Sequence, residues 1–304
     1  MTNKLTLSIF IPAYNEEANI EHLLRSILSQ KQDNFKLSDI NVVSDGSSDK
    51  TEEIVLRVRK QNKKIKLIAD GKRMGKPQRL NQIYQYNKSD ILFIFDGDVL
   101  PYNNNLLNDV VSNFKDKTVA IVSCKKVAVY SKTFVGKLIY HWYQLTSEIG
   151  NEVGGGHNVY SFSMCAFALE KKFAKTIKYA KDAGPITKFT FFSALSKNLK
   201  FKFAKNTKIY FSLPDNTNDY LRQLNRYKKT KELNSDIFGK DTYKQIHKIP
   251  MSVKVSKIVN LTLKNPFFFP LSLVYRTCLI FMKRKNTTRG VSWEAVSSTK
   301  QITI

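Results

Sequence analysis

Short apolar runs alternate with segments of helical period from residue 5 to about residue 123, and this alternation constrains the fold more than any other feature of the chain. "LTLSIFIPA" reads as a strand, after which Ile20, Leu23, Leu24, Ile27 and Leu28 recur at the spacing of one helix face. "INVVSD" is a second strand, "TEEIVLRVRK" a helix, "IKLIAD" a third strand, "KPQRLNQIYQY" a helix and "ILFIFD" a fourth strand, with "TVAIVSC" continuing the sheet. Helices placed between strands require crossover connections. The expected fold class is therefore α/β, a mainly parallel central sheet flanked by helices.

In sheets of this kind ligands bind beyond the carboxyl ends of the strands. Those are the places where this sequence turns polar: "PAYNEE", "SDGSSD", "DGKRMGK" and "DGD" end the first four strands in turn. In "DGD", Asp96 and Asp98 are two apart, so in extended backbone both carboxylates face one point. Like charges so placed repel unless a cation lies between them, and hard oxygen ligands suit Mg2+ or Mn2+. At the end of the third strand Lys72, Arg73 and Lys76 surround Gly71 and Gly75, a cluster suited to phosphate oxygens. Neither GxxxxGK[ST] nor GxGxxG is present, which disfavours an NTPase or a dinucleotide dehydrogenase.

The charge is strongly asymmetric, with 50 Lys and Arg against 25 Asp and Glu for a net +25. An anionic partner or a solvated Lys-rich surface both account for it. Nucleic acid is disfavoured, because no aromatic and basic interleaving of the RRM type occurs. Cys124, Cys165 and Cys278 offer neither zinc spacing nor a paired framework, which points to a reducing compartment. "MTNKLTLSIFIP" runs straight into a strand without the pattern of a signal peptide, so the expected location is cytoplasmic. Further on, the glycines at 154–156 read as a loop that either approaches a ligand or simply connects elements. Residues 266–282 are apolar but shorter than the roughly 20 residues a membrane span needs. Pro270 and Arg276 interrupt them, and Lys283, Arg284 and Lys285 follow. This reads as an interfacial segment on an anionic membrane, peripheral to its cytoplasmic face, or as a buried C-terminal helix. The last stretch, "NTTRGVSWEAVSSTKQITI", reads as a tail.

"SIFIPAYNEEANIEHLLRSILSQ", "VVSDGSSDKTEEI", "RMGKPQRLN" and "FIFDGDVLP", in this order, resemble the nucleotide-sugar-binding half of family 2 glycosyltransferases of the GT-A (Rossmann-like) fold. Downstream, "QLNRY" resembles the family's Gln-x-x-Arg-Trp motif, found in processive polysaccharide synthases, with Tyr227 in the place of Trp. The resemblance implies residues 1–125 as the nucleotide-sugar-binding half and 126–235 as the acceptor-binding and catalytic half; residues 236–304 then form the third region, the C-terminal helical segment, interfacial or buried, and tail.

Carried over residue by residue, it implies that Pro12, Ala13, Tyr14 and Glu16 wall the nucleotide pocket, and that Asp45 contacts the base or ribose. Lys72 and Lys76 would lie near the nucleotide, Asp96 would contact the nucleotide sugar, and Asp98 would hold Mg2+ or Mn2+. Gln223, Arg226 and Tyr227 would line the donor and acceptor sites. The family's general base is the Asp of a Glu-Asp pair ahead of the glycine that opens the next strand. With "NLKFKFAKN" as that strand and Asn198 in the glycine position, the expected place falls on residues 185–187, which hold no carboxylate. Asp182 is the assigned base, with Glu148, Glu152, Asp215 and His157 as alternatives. The implied function is inverting transfer of a sugar from a nucleoside-diphosphate sugar, a UDP-sugar foremost, to a glycan or lipid-linked acceptor. The alternative is a catalytically degenerate nucleotide-sugar-binding partner of another transferase.

Overall fold

In a computed structural model of the chain, residues 4–180, 186–225, 239, 246–283, 297–300 and 302 are described. The first half runs β1 (Leu5–Ala13), α1 (Ile20–Leu28), β2 (Phe35–Ser44), α2 (Thr51–Gln61), β3 (Ile65–Ile68), α3 (Lys76–Tyr86) and β4 (Ile91–Phe95). It continues through β5 (Val99–Pro101), α4 (Leu106–Ser112), β6 (Val119–Ala128), α5 (Phe134–Glu152), β7 (Ala166–Glu170), α6 (Lys171–Thr176), α7 (Thr187–Leu195) and β8 (Lys200–Phe211). A helix over residues 217–225 follows as α8. Two more, α9 (Met251–Lys264) and α10 (Phe268–Lys283), come after it.

The strands form one sheet in the order β3-β2-β1-β4-β7-β6-β8-β5. β3, β2, β1 and β4 are parallel, as the alternating pattern predicts. Beyond β4 the expected continuation changes. β7 enters antiparallel between β4 and β6, β8 then pairs parallel with β6, and β5 pairs antiparallel with β8. The sheet is thus mixed. The reason is connectivity: α5 returns the chain to the end of the sheet at which β4 and β6 finish, so β7 starts beside Phe95 and Ser123 and runs against both of its neighbours.

Burial on both faces explains the apolar character of β4. Ile91, Phe93 and Phe95 join the cluster that includes Leu7, Ile9 and Ile11 of β1 and Ile20, Leu23, Leu24 and Ile27 of α1. Leu92 and Ile94 join the opposite cluster with Phe10 of β1 and Leu80, Ile83 and Tyr84 of α3. None of the five β4 side chains is more than 1% exposed. Each such side chain contributes about 1.5–3 kcal/mol through burial, so the strand is a rigid support for whatever follows Phe95.

Two local conformations matter downstream. Asn198, just before β8, has φ +56°, a left-handed conformation that Asn tolerates better than most residues. Glycines 154–156 also have positive φ and form a short turn rather than an open loop. A Cβ on Gly156 would lie 2.3 Å from the Phe203 ring, so the requirement there is close approach to a neighbouring strand.

α5 is the platform for the C-terminal helices. Its Ile139 packs with Leu279 of α10, and its Leu145 with Leu261 of α9 and Phe269 of α10. The opposite faces of α9 and α10 carry exposed apolar residues. Met251, Val255, Val259 and Leu263 recur every four residues at 68%, 51%, 51% and 78% exposure, and Phe267, Val274, Ile280 and Phe281 extend the patch. Among the described residues no helix is long and apolar enough to cross a membrane.

Candidate active site

The loops after β1, β2, β3 and β4 meet on one rim, and hydrogen bonds between them show how. Asn15 takes φ +52°, which turns the chain out of β1. Its backbone N–H donates to Ser47 Oγ at 3.1 Å, that of Glu16 to Thr51 Oγ1 at 2.7 Å and that of Glu17 to Asp49 Oδ2 at 3.0 Å. "SDGSSDKT" therefore acts largely as a polar scaffold for "PAYNEE". Pro12 and Ala13 end β1, and Tyr14 presents its ring to Arg73, whose Cζ lies 3.3 Å from the ring centroid.

Asp45 holds the loop between β3 and α3. Its carboxylate accepts from Arg73 Nη1 (2.7 Å), Arg79 Nε (2.9 Å) and the backbone N–H groups of Met74 (2.8 Å) and Gly75 (3.0 Å). Both oxygens are occupied, so Asp45 organises the loop. Arg79, 1% exposed, joins Asp45 to Asp70. Lys72, expected near the nucleotide, is exposed, and its backbone packs against Gly46, where a Cβ would come within 3.1 Å.

The carboxylates form the centre of the rim. Lys76 Nζ pairs with Asp96 Oδ1 at 2.5 Å and donates to Met164 O at 3.1 Å. Burial acts most strongly, lowering the pKa of Lys76, but the charge and hydrogen bond of Asp96, with Cys165 and Asp98, together outweigh it and the pKa is raised. Asp98 is pushed up by burial and then by the Asp96 charge. Glu16, only 5% exposed, is pushed up to about 8 by burial and then by Asp98, with Lys300 pulling the other way. Glu16 Oε2 is buried without a hydrogen-bond partner. Three acidic side chains thus face two ammonium groups, Lys76 and Lys300, in a setting short of positive charge. Among the described residues no three His, Cys, Asp or Glu side chains converge on one point. The oxygen-only donor set and the orphaned Glu16 oxygen fit a hard divalent cation whose remaining ligands come from elsewhere.

Other expected residues fall at varied places. Gln223 lies on α8 and is half-buried. Asp182, Arg226 and Tyr227 lie outside the described residues. Among the alternative bases, Glu152 and Glu148 face Lys257 at 3.2 and 4.0 Å. His157 Nδ1 accepts the backbone N–H of Phe203 at 3.0 Å, which puts its ring proton on Nε2 and gives it a structural role. Asp215 Oδ1 accepts from Asn216 Nδ2 at 3.0 Å.

Sequence reasoning missed two residues: Arg79 was signalled only by proximity to the glycines, and Lys300 by nothing. Arg73, read from the sequence as part of a phosphate-binding cluster, is tied to Asp45 and Tyr14. Within the stretch expected to be a tail, the described residues lie against the rim: Lys300 Nζ donates to Tyr14 O at 3.0 Å and pairs with Glu16 Oε1.

The chain is similar to known proteins in sequence pattern and fold. The sequence pattern of "Glycosyl transferase family 2" matches residues 8–177, more than half of the chain. A beta-monoglucosyldiacylglycerol synthase of Trichormus variabilis is 30% identical over 128 residues, covering 41% of this chain and 27% of that protein. The chain thus spans about a quarter of that relative's length. The mannosyltransferase PcManGT of Pyrobaculum calidifontis, solved with GDP-Man and Mn2+, superposes with a TM-score of 0.59 at 18% identity, covering 95% of this chain and 77% of that one. S. aureus TarS residues 1–349, solved with UDP, give 0.52 at 18% identity over 72% of this chain and 63% of that one. The fold is the GT-A fold. Since the family's pattern runs from β1 through α6 and includes every loop of the rim, the chain belongs to glycosyl transferase family 2.

Proposed function

We propose that the chain transfers a sugar from a nucleoside-diphosphate sugar to a hydroxyl of a glycan or lipid-linked acceptor, with inversion at the anomeric carbon. The observation that carries this reading is the group of buried Glu16 with partly buried Asp96 and Asp98 at the carboxyl ends of the parallel strands, short of positive charge and open at one orphaned oxygen. UDP is the first candidate nucleotide and GDP the second, following the ligands of the two structural neighbours. A lipid-linked acceptor is supported by the name of the Trichormus relative.

In this reading Asp98 holds Mg2+ or Mn2+, with Glu16 Oε2 beside it. The bound cation would supply charge neutralisation for the departing diphosphate. The chain's own residues do the rest. Lys76 fixes Asp96, which orients the sugar. Arg73, stacked on Tyr14 and held by Asp45, shapes the nucleotide side. Asp182, between Ala180 and Ile186, takes the proton of the acceptor hydroxyl as its oxygen attacks the anomeric carbon. The bond to the diphosphate breaks and its electron pair leaves with the diphosphate. Gln223, Arg226 and Tyr227 would line the donor and acceptor sites. The three-part division at residues 125 and 235 belongs to the same proposal.

The test is a panel of nucleotide sugars with Mn2+ or Mg2+, scored by thermal stabilisation and then by release of nucleoside diphosphate. Binding and release support the reading. Binding without release for every acceptor and sugar supports the degenerate partner, and no binding refutes the donor site.

A second part of the reading is contact with a membrane surface. The exposed apolar stripes of α9 and α10 lie on a chain of net charge +25 and precede Lys283, Arg284 and Lys285 in sequence, which together suit an anionic bilayer. Cosedimentation with vesicles containing anionic lipid, and none with neutral vesicles, is the expected result. Equal recovery with both refutes the electrostatic part.

A further inference from the structure

Residues 297–300 and 302 lie against the loop after β1 and against α8 and are held at three places. Ser298 donates to Asp219 Oδ2 through its backbone N–H at 3.1 Å and its hydroxyl at 2.6 Å. Asn19, 2% exposed at the start of α1, clamps the segment from below. Its Nδ2 donates to Lys300 O at 2.5 Å, and its Oδ1 accepts from Ile302 N at 3.2 Å. Between these ties Lys300 reaches inward to Tyr14 O and Glu16 Oε1. One side of the segment is therefore fastened to α8, the helix that carries Gln223, and the other to the loop after β1.

We propose that this segment is a strap that completes the donor site, and that Lys300 binds the distal phosphate of the donor's diphosphate. This rests on the nucleotide-sugar reading given above.

Four observations support a binding role over a plain structural ion pair. An ammonium has three N–H bonds, and two of those on Lys300 have acceptors among the described residues, which leaves one for a ligand oxygen. The Lys300 side chain is 26% exposed although its partner Glu16 is buried, so the lysine is not sealed in the interior with its partner. Glu16 Oε2 has no partner, so the pair is not a closed, mutually satisfied contact. Asp98 is near enough that the Lys300 charge offsets part of its upward shift. Charge accounting points the same way. When the sugar–oxygen bond breaks, its electron pair stays on the distal phosphate, which gains a negative charge, and a fixed ammonium beside it stabilises that product.

The test uses the full chain with Mn2+ and four probes: UDP, UMP, GDP and GMP. For the diphosphate that the wild-type chain binds, Lys300→Met is expected to weaken binding about tenfold or more, about 1.4 kcal/mol. Binding of the matching monophosphate should stay at the wild-type level, and Lys300→Arg should retain most of the diphosphate affinity. Asp219→Asn loosens the strap at its other end and should show the same selective loss. Unliganded melting temperatures of all variants show that each is folded. Wild-type diphosphate affinity in Lys300→Met overturns the strap but leaves the donor reading standing. Tighter binding in that variant also overturns it, because Lys300 would then be a plug that competes with the ligand. A wild-type chain that binds none of the four probes removes the donor reading, and the strap with it.

Discussion

Glu16 lies directly against Gly97: a Cβ on Gly97 would come within 2.5 Å of Glu16 Cγ and 2.9 Å of Cδ. The glycine between the two aspartates is therefore a space requirement, because it lets a third acidic side chain enter the group from the first strand. Gly97→Ala should displace Glu16, cost about 1–3 kcal/mol of stability through overpacking and weaken binding of metal with nucleotide. Thermal melting and nucleotide titration check both effects. An unchanged melting temperature together with unchanged affinity contradicts the packing argument.

Asp98→Asn should lower the transfer rate by at least about a hundredfold without unfolding the protein. The sign of the stability effect follows from its raised pKa. Burial and Asp96 disfavour its charged form, so the native state loses stability as pH rises above the ordinary carboxylate value, and a neutral amide removes that cost at pH 7. The melting temperature should hold steady or rise. Chelation of divalent cations should reproduce the activity loss in the wild-type chain and be reversed by Mn2+ or Mg2+.

Arg79→Met removes a buried guanidinium that ties Asp45 to Asp70. Asp45 keeps Arg73 and two backbone donors but loses its buried partner, at a cost of about 3 kcal/mol. Arg79→Lys should recover only part of this, because one ammonium cannot reach both carboxylates with the fork that Arg79 uses. Urea midpoints of the three proteins give the comparison.

The cysteines report on two regions. Cys124 is buried with its thiol pushed up to about 12 by burial, and burial also raises Cys165, whereas Cys278 on α10 is exposed. Alkylation of the native chain should modify Cys278 first, with the other two following only on unfolding. Anionic vesicles should slow labelling of Cys278 if the apolar face of α9 and α10 docks on them.

Legibility in the sequence followed the physics of each element. The bounds of β1 and α3 agree with the apolar runs and Gly75–Lys76 start that announce them, since burial on both sheet faces leaves a strong pattern. The rim was legible because four strand ends turn polar together. The direction of β7 was not, because "AFALE" reads the same in either orientation and only connectivity decides it. Arg79 was hidden because a polar residue on a helix shows no sign of burial until its partners, Asp45 and Asp70, are located in space. Lys300 was hidden for a similar reason: it is one lysine among many in a polar stretch, and its partner is 284 positions away.

That separation has a kinetic meaning. The parallel half of the sheet joins strands that follow one another closely in the chain, whereas the clamp of Asn19 on Lys300 and Ile302 spans more than 280 residues. Among the described residues it is made of hydrogen bonds, and closing so long a loop brings a large entropic cost. The mouth of the pocket should accordingly gather late in folding and exchange its amide protons sooner than the strands beneath it. A site whose floor is among the firmest parts of the molecule is thus rimmed by one of its most readily released.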